Sequence, residues 1–231
     1  EPFLRDLSET LFQIIHPEQI RKRLEADIMV TFSIIGYYYC HNLTGIQIIS
    51  KFNAVDMLLF YLNEDDMKDF MKPILSGISG LLRFENLEEE EEEKSISFNL
   101  LTNRIDQRLG FIFENFCIET PFLEIGSIIK NLIKHQNNDR FLPSLLTFLP
   151  ILNSFLTSEQ YEYVKLSIQS ARHLITKFPD TRNNLDEIEY TENLKQLIGS
   201  PHFVFGELKS TVHFLRFYCR SDEDRCRSMF T

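Results

Sequence analysis

The sequence predicts an all-α protein, and three observations carry that reading. Apolar residues recur at spacings of three and four through nearly every segment, which is the period of a helix face. No run alternates apolar and polar residues between hairpin turn signals. The 231 residues include only 8 Gly and 8 Pro, too few for a turn-rich β fold.

The elements follow in order. Phe3, Leu4, Leu7, Leu11, Ile14 and Ile15 form one apolar stripe, and the helix stops before Pro17. Leu24–Tyr39 is apolar nearly all round, as in a helix covered on several sides; its Tyr37-Tyr38-Tyr39 run is read as core plus an exposed ring. A short helix at Ile46–Phe52 and a second at Val55–Leu62 come next. Met67–Phe84 predicts one long helix with Pro73 near its first turns, where proline is best tolerated. Inside it, Ser76-Gly77-Ile78-Ser79-Gly80 is the pattern of helices in close approach.

Residues 85–95 change character. Glu88–Glu93 is an unbroken run of six Glu whose mutual repulsion predicts a flexible, solvated acidic loop. Helices resume at Ser95–Leu101, Arg104–Cys117, Phe122–Lys134, Asp139–Phe155, Ser158–Phe178, Leu185–Ile198 and Phe203–Cys219. Asp222-Glu223-Asp224 reads as a solvated end after the last of them. The connectors are short and polar, as between antiparallel neighbours.

Charge and motifs exclude several functions. With 24 Lys+Arg against 34 Asp+Glu the net charge is −10, a poor basis for holding nucleic acid by its phosphates. The alternative patch for such a role is the Arg216–Arg227 stretch. No apolar run reaches the length of a membrane span. The Gly-rich phosphate loops and the G-x-S-x-G elbow are absent. No two of His16, His41, His135, His173, His202 and His213 lie three or four apart, so no helical metal pair forms, and Cys219 and Cys226 have only His213 near them. We expect no enzyme, no metal and no cofactor. Cys40, Cys117, Cys219 and Cys226 sit in or near apolar runs and read as free thiols, which favours a reducing compartment, cytoplasmic or nuclear. The chain begins at Glu1 rather than Met, and we expect a piece of a longer protein that forms one helical-repeat domain over residues 1–231.

The chain also repeats itself. A shift of 70 residues lays Val55–Leu82 on Ile125–Leu152, matching Leu62 with Leu132, Asp69 with Asp139, Pro73 with Pro143, Leu75 with Leu145 and Leu82 with Leu152. The layout around it resembles an armadillo repeat, the three-helix cousin of the HEAT repeat. Leu24–Tyr39 looks like a third helix, Gly45–Phe52 like a short first helix, and Asn53-Ala54-Val55-Asp56-Met57-Leu58 like the family's Gly-Ala-Ile-x-x-Leu entry into the second helix, with Asn in the glycine position. Leu62-Asn63-Glu64-Asp65 resembles the turn into the next third helix. Ala171, Leu174 and Ile175, then Asn183-Asn184-Leu185, Asn193–Ile198, Gly199-Ser200-Pro201 and Phe203–Cys219 resemble a later copy.

The resemblance implies a right-handed α-solenoid whose third helices form a concave face for a partner's peptide or helix. Asn115, in Phe113-Glu114-Asn115-Phe116, matches the family's groove asparagine. With Arg104, Arg108, Arg172 and His173 it makes the candidate partner-binding set, since Arg and Asn bond a partner's backbone or carboxylates. The tryptophans that line the groove of nuclear import receptors are absent, which argues against recognition of nuclear-localisation signals. The expected function is a non-enzymatic interaction scaffold or adaptor. A second possibility is an assembly subunit packing end-on through Phe203, Phe205, Phe214, Phe217 and Phe230. An all-helical enzyme or ligand binder has no residue cluster to support it.

Overall fold

The computed structural model describes residues 2–16, 20, 25–42, 44–46, 53–85, 95–115, 122–200, 205–220 and 222–230. The six-Glu run, Cys117 and most of the expected Ile46–Phe52 helix lie outside the described residues. All regular structure among the described residues is helical. The chain packs as two compact units: residues 1–108 with 119–128, and residues 109–118 with 129–231.

The first unit begins with α1 (Pro2–Ile14) and α2 (Glu25–Ser33), which runs on into a π-helical segment, Ile34–Tyr39. Then come α3 (Ala54–Asn63), a 3-10 turn (Asp65–Phe70), α4 (Met71–Arg83) and α5 (Ile96–Thr102). The expected Met67–Phe84 helix therefore starts late: the segment to Phe70 is 3-10, and Pro73 falls in the first turn of α4, where its missing N–H has no helical partner to lose. Ser95 caps α5, its side chain accepting from the Phe98 N–H at 3.1 Å. Glu85, just past α4, accepts from the Ser97 N–H at 2.9 Å and from its hydroxyl at 3.1 Å, tying the end of α4 to the start of α5.

The core of this unit forms where the π segment packs on α4. Glycine makes the approach possible. A Cβ on Gly36 would lie 2.1 Å from the Pro73 carbonyl oxygen, and one on Gly80 would lie 2.2 Å from that of Cys40. The small residues of α4 thus serve the close packing expected of them. Ile15, Phe32, Ile35, Tyr39, Leu62, Ile74 and Leu82 fill the interior, with Phe32 edge-on to Tyr61 at 5.1 Å. The Tyr61 hydroxyl donates to the Ile15 carbonyl. Of the tyrosine run, Tyr39 is buried while Tyr37 and Tyr38 are exposed.

Two helices run through residues of both units, α6 (Ile105–Asn115) and α7 (Phe122–His135). The second unit continues with a 3-10 turn (Asp139–Phe141), α8 (Leu142–Leu146), α9 (Leu149–Leu156), α10 (Tyr161–Lys177), a 3-10 turn (Pro179–Thr181), α11 (Arg182–Glu187), α12 (Tyr190–Ile198), α13 (Phe205–Tyr218) and α14 (Glu223–Phe230). Three expectations are corrected here. Asp139–Phe155 is not one helix but a turn and two short helices, each with Pro143 or Pro150 at its start. Leu185–Ile198 breaks at Glu189. The acidic stretch at 222–224 opens α14, with Asp222 accepting from the Arg225 N–H at 3.0 Å.

In this unit α10 packs against α9 and α13. Ile168, Ala171, Leu174, Leu185, Tyr190, Leu194 and Phe214 are fully buried. The buried Ser167 hydroxyl is satisfied: it donates to the Leu152 carbonyl at 2.6 Å and lies 2.8 Å from the Tyr190 hydroxyl.

The repeat is written in the turns. Asn53, Arg104 and Glu189 have φ of 50°, 60° and 58°, the non-glycine residues with positive φ among those described. Each immediately precedes a helix, α3, α6 and α12 respectively. In the armadillo layout these are the second helices, and a glycine stands at this position because only glycine adopts it without steric cost. The unit is then a short helix, a second helix and a long third: α5, α6, α7; α8, α9, α10; α11, α12, α13. The 70-residue shift instead pairs α3 with α7, a second helix with a third, and is out of register.

Candidate functional site

The predicted partner-binding residues meet different fates. Arg104 is the left-handed turn residue before α6. Its side chain is 58% exposed and its Nε lies 3.5 Å from Asp106 Oδ1, a carboxylate buried in the first turn of that helix. Negative charge there is favoured by the positive end of the helix dipole. Arg108 turns to the protein itself: its Nε donates to the Leu62 carbonyl at 2.6 Å, closing an orphan acceptor in the last turn of α3. Asn115 is exposed at the end of α6 and donates to the Phe111 carbonyl at 2.8 Å.

Arg172 and His173 are the predicted pair that the structure brings together. They lie half-buried on α10, with Arg172 Nη2 3.3 Å from His173 Nε2. Residues not anticipated from the sequence complete a basic cluster. Lys177 Nζ, one turn on, donates to the Gln136 carbonyl at 2.9 Å and to that of Lys134, at the C-terminal end of α7. Burial, then Arg172, Lys177, Lys134 and Lys130 in turn, push the His173 imidazole down to about 4. Burial and Lys134 push Lys177 down to about 8. Burial, Lys134 and Lys177 push the neighbouring His135 down to about 4. The signal was present as Lys130 and Lys134 one turn apart on α7 and as Arg172-His173 and Lys177 on α10, but nothing in the sequence says that the two helices meet there.

The remaining chemical groups are quiet. Burial pushes the Cys40 thiol up to about 12. Burial and the adjacent Cys226 push Cys219 up to about 11, so neither thiol is a ready nucleophile. Cys40, Cys219 and Cys226 are free. An open cleft beside α14 is lined by Cys219, Asp222, Glu223, Cys226 and Arg227. Among the described residues no group of three or more His, Cys, Asp or Glu is arranged to hold a metal ion, and no helix is long and apolar enough to cross a membrane. Of the aromatic residues expected to serve an end-on contact, Phe214 is instead core, stacked on Tyr218 at 5.6 Å. Phe203 lies outside the described residues, as do the side chains of Phe205 and Phe230.

No known protein family and no curated protein matches the sequence. Solved structures do match the fold. A designed armadillo repeat protein in complex with the peptide (KR)4 superposes with a TM-score of 0.68 at 17% identity, over 91% of each chain. A computationally designed armadillo repeat protein for modular peptide recognition gives 0.75 at 13% identity, over 95% of this chain and 87% of that one. A further designed armadillo repeat protein gives 0.52 at 13% identity, over 90% and 98%. With left-handed turns opening α3, α6 and α12, the similarity establishes the fold: the chain is an all-α solenoid of armadillo-like helical repeats.

Proposed function

We propose that the protein is a non-enzymatic interaction scaffold that binds a peptide or helical segment of a partner along the surface of its helical repeats. The observation that carries this reading is the cluster of Lys134, Arg172, His173 and Lys177 where the third helices α7 and α10 come together. The likeness to designed repeat proteins made for peptide recognition supports it. A peptide's backbone and side chains need fixed donors and acceptors, and long helices held in a repeating stack provide them at regular intervals. Of the residues put forward from the sequence, Arg172 and His173 lie on a third helix, whereas Asn115 ends α6, a second helix, and not the third helix that the resemblance gave it. Arg104 and Arg108 serve turn and helix-end geometry as well. The free thiols of Cys40, Cys219 and Cys226 support placing the protein in the reducing cytoplasm or nucleus.

Selection of a random peptide library on the immobilised chain tests this. Enriched sequences that bind as isolated peptides with micromolar affinity or better are expected. No enrichment from a library of linear and helical peptides would overturn the reading.

A further inference from the structure

The chain carries a net charge of −10, yet one place in its second unit gathers cations from two helices. Lys130 and Lys134 come from the last turns of α7, and Arg172, His173 and Lys177 from the last turns of α10. The arrangement is fixed rather than incidental. Lys177 is pinned by its bonds to the carbonyls of Lys134 and Gln136, and Arg172 is held at 3.3 Å from the ring of His173. Lys134 is exposed.

Some cations elsewhere are neutralised in place. Lys165 pairs with Glu162 at 3.2 Å, Lys195 with Glu192 at 2.9 Å, and Arg225 with Asp222 and Asp186 at 3.1 and 3.4 Å. Among the described residues, Lys134, Arg172 and Lys177 form no ion pair with a carboxylate. The negative end of the α7 dipole explains Lys177, which caps it, and offsets part of the charge of Lys134. It does not account for Arg172. Nor does it relieve the mutual repulsion of the set, which adds to burial in pushing the His173 imidazole down.

We infer that Lys134, Arg172 and Lys177 form the recognition site for an acidic, Glu/Asp-rich stretch of the partner peptide. The inference rests on the peptide-binding reading and adds the charge of the ligand. Arg172 presents a planar fork suited to a carboxylate, and Lys134 a point charge on the other helix. A run of carboxylates satisfies a cluster spread over two helices better than one isolated anion does. A nucleic acid fits worse, since its uniform line of phosphates extends well past the cluster onto a strongly acidic protein. The site is opposite in sign to one suited to the (KR)4 peptide held by the designed relative.

The test is fluorescence anisotropy with three short labelled peptides: Glu/Asp-rich, Lys/Arg-rich, and neutral with Gln and Asn in the same places. The proteins are the full chain, Lys134→Glu/Arg172→Glu, Lys134→Gln and, as a charge-reversal control outside the named set, Lys209→Glu. The acidic peptide should bind the parent, and binding should weaken as salt is raised. The double reversal should lose about tenfold or more, and Lys134→Gln should lose several-fold. Lys209→Glu should bind like the parent. Lys134→Gln keeps the test valid should the double variant fail to fold, because Lys134 is exposed and its side chain makes no hydrogen bond. Equal binding of the acidic peptide by parent and Lys134→Gln would overturn the inference. So would preference for the neutral or basic peptide, which leaves peptide binding itself standing. An oligonucleotide that displaces the acidic peptide at equal charge concentration would overturn it in favour of a general polyanion surface. Failure of all three peptides, and of every library-selected one, would instead remove the peptide-binding reading beneath it.

Discussion

At the scale of single residues, three positions are decided by one physical term each. Gly80 lies against the Cys40 carbonyl, with room for a hydrogen and none for a methyl. Gly80→Ala should therefore destabilise the protein by about 2–3 kcal/mol, read as a lower urea midpoint. Glu189 is the opposite case: it holds a left-handed turn, with φ 58° and ψ 22°, that costs an L-residue energy. Glu189→Gly should raise stability by about 0.5–1 kcal/mol, because the relief of strain exceeds the entropy that glycine adds to the unfolded chain. A fall in stability would show that the side chain matters more than the turn. His135 is buried beside Lys134 and Lys177, and its folded pKa of about 4 lies below the ordinary 6.5. The unfolded chain then takes up the proton first. Its contribution is complete above about pH 6.5 and is lost as the pH falls toward 4. Between about pH 7 and pH 5 the native protein should lose about 1–2 kcal/mol more than His135→Gln does in parallel denaturant titrations.

At the scale of elements, the joints between helices are made by side chains that serve a neighbour's backbone. Asn153 on α9 donates to the Ile188 carbonyl at 3.0 Å and accepts from Asn193 of α12 at 3.0 Å. Asn153→Ala should cost about 2 kcal/mol, the loss of two half-buried hydrogen bonds, in a chemical melt. Helical periodicity made the helices themselves legible in the sequence. The break at Glu189 was not, because the left-handed turn is usually signalled by a glycine and here, as at Asn53 and Arg104, another residue stands in its place. The same substitution hid the repeat: without glycines to mark the second helices, the eye is drawn to Pro73 and Pro143, which stand at helix starts of different rank.

At the scale of the whole molecule, fold and candidate site differ in how much the sequence reveals. An all-α repeat protein follows from apolar faces that single hairpins cannot bury. The proposed cluster depends on two helix ends meeting, α7 and α10, and of its residues the sequence put forward only Arg172 and His173. Arg108 shows the converse: an arginine in a plausible place whose Nε serves a backbone carbonyl of its own unit. The central claim is that this protein reads peptides on its third helices. Photo-crosslinking of a library-selected peptide, with the attachment sites mapped by mass spectrometry, tests it most directly. Adducts are expected on α7 and α10 around Lys134 and Arg172, with their loss in Lys134→Glu/Arg172→Glu. Adducts confined to α1 or α14 at the ends of the chain, unchanged in that variant, would contradict it.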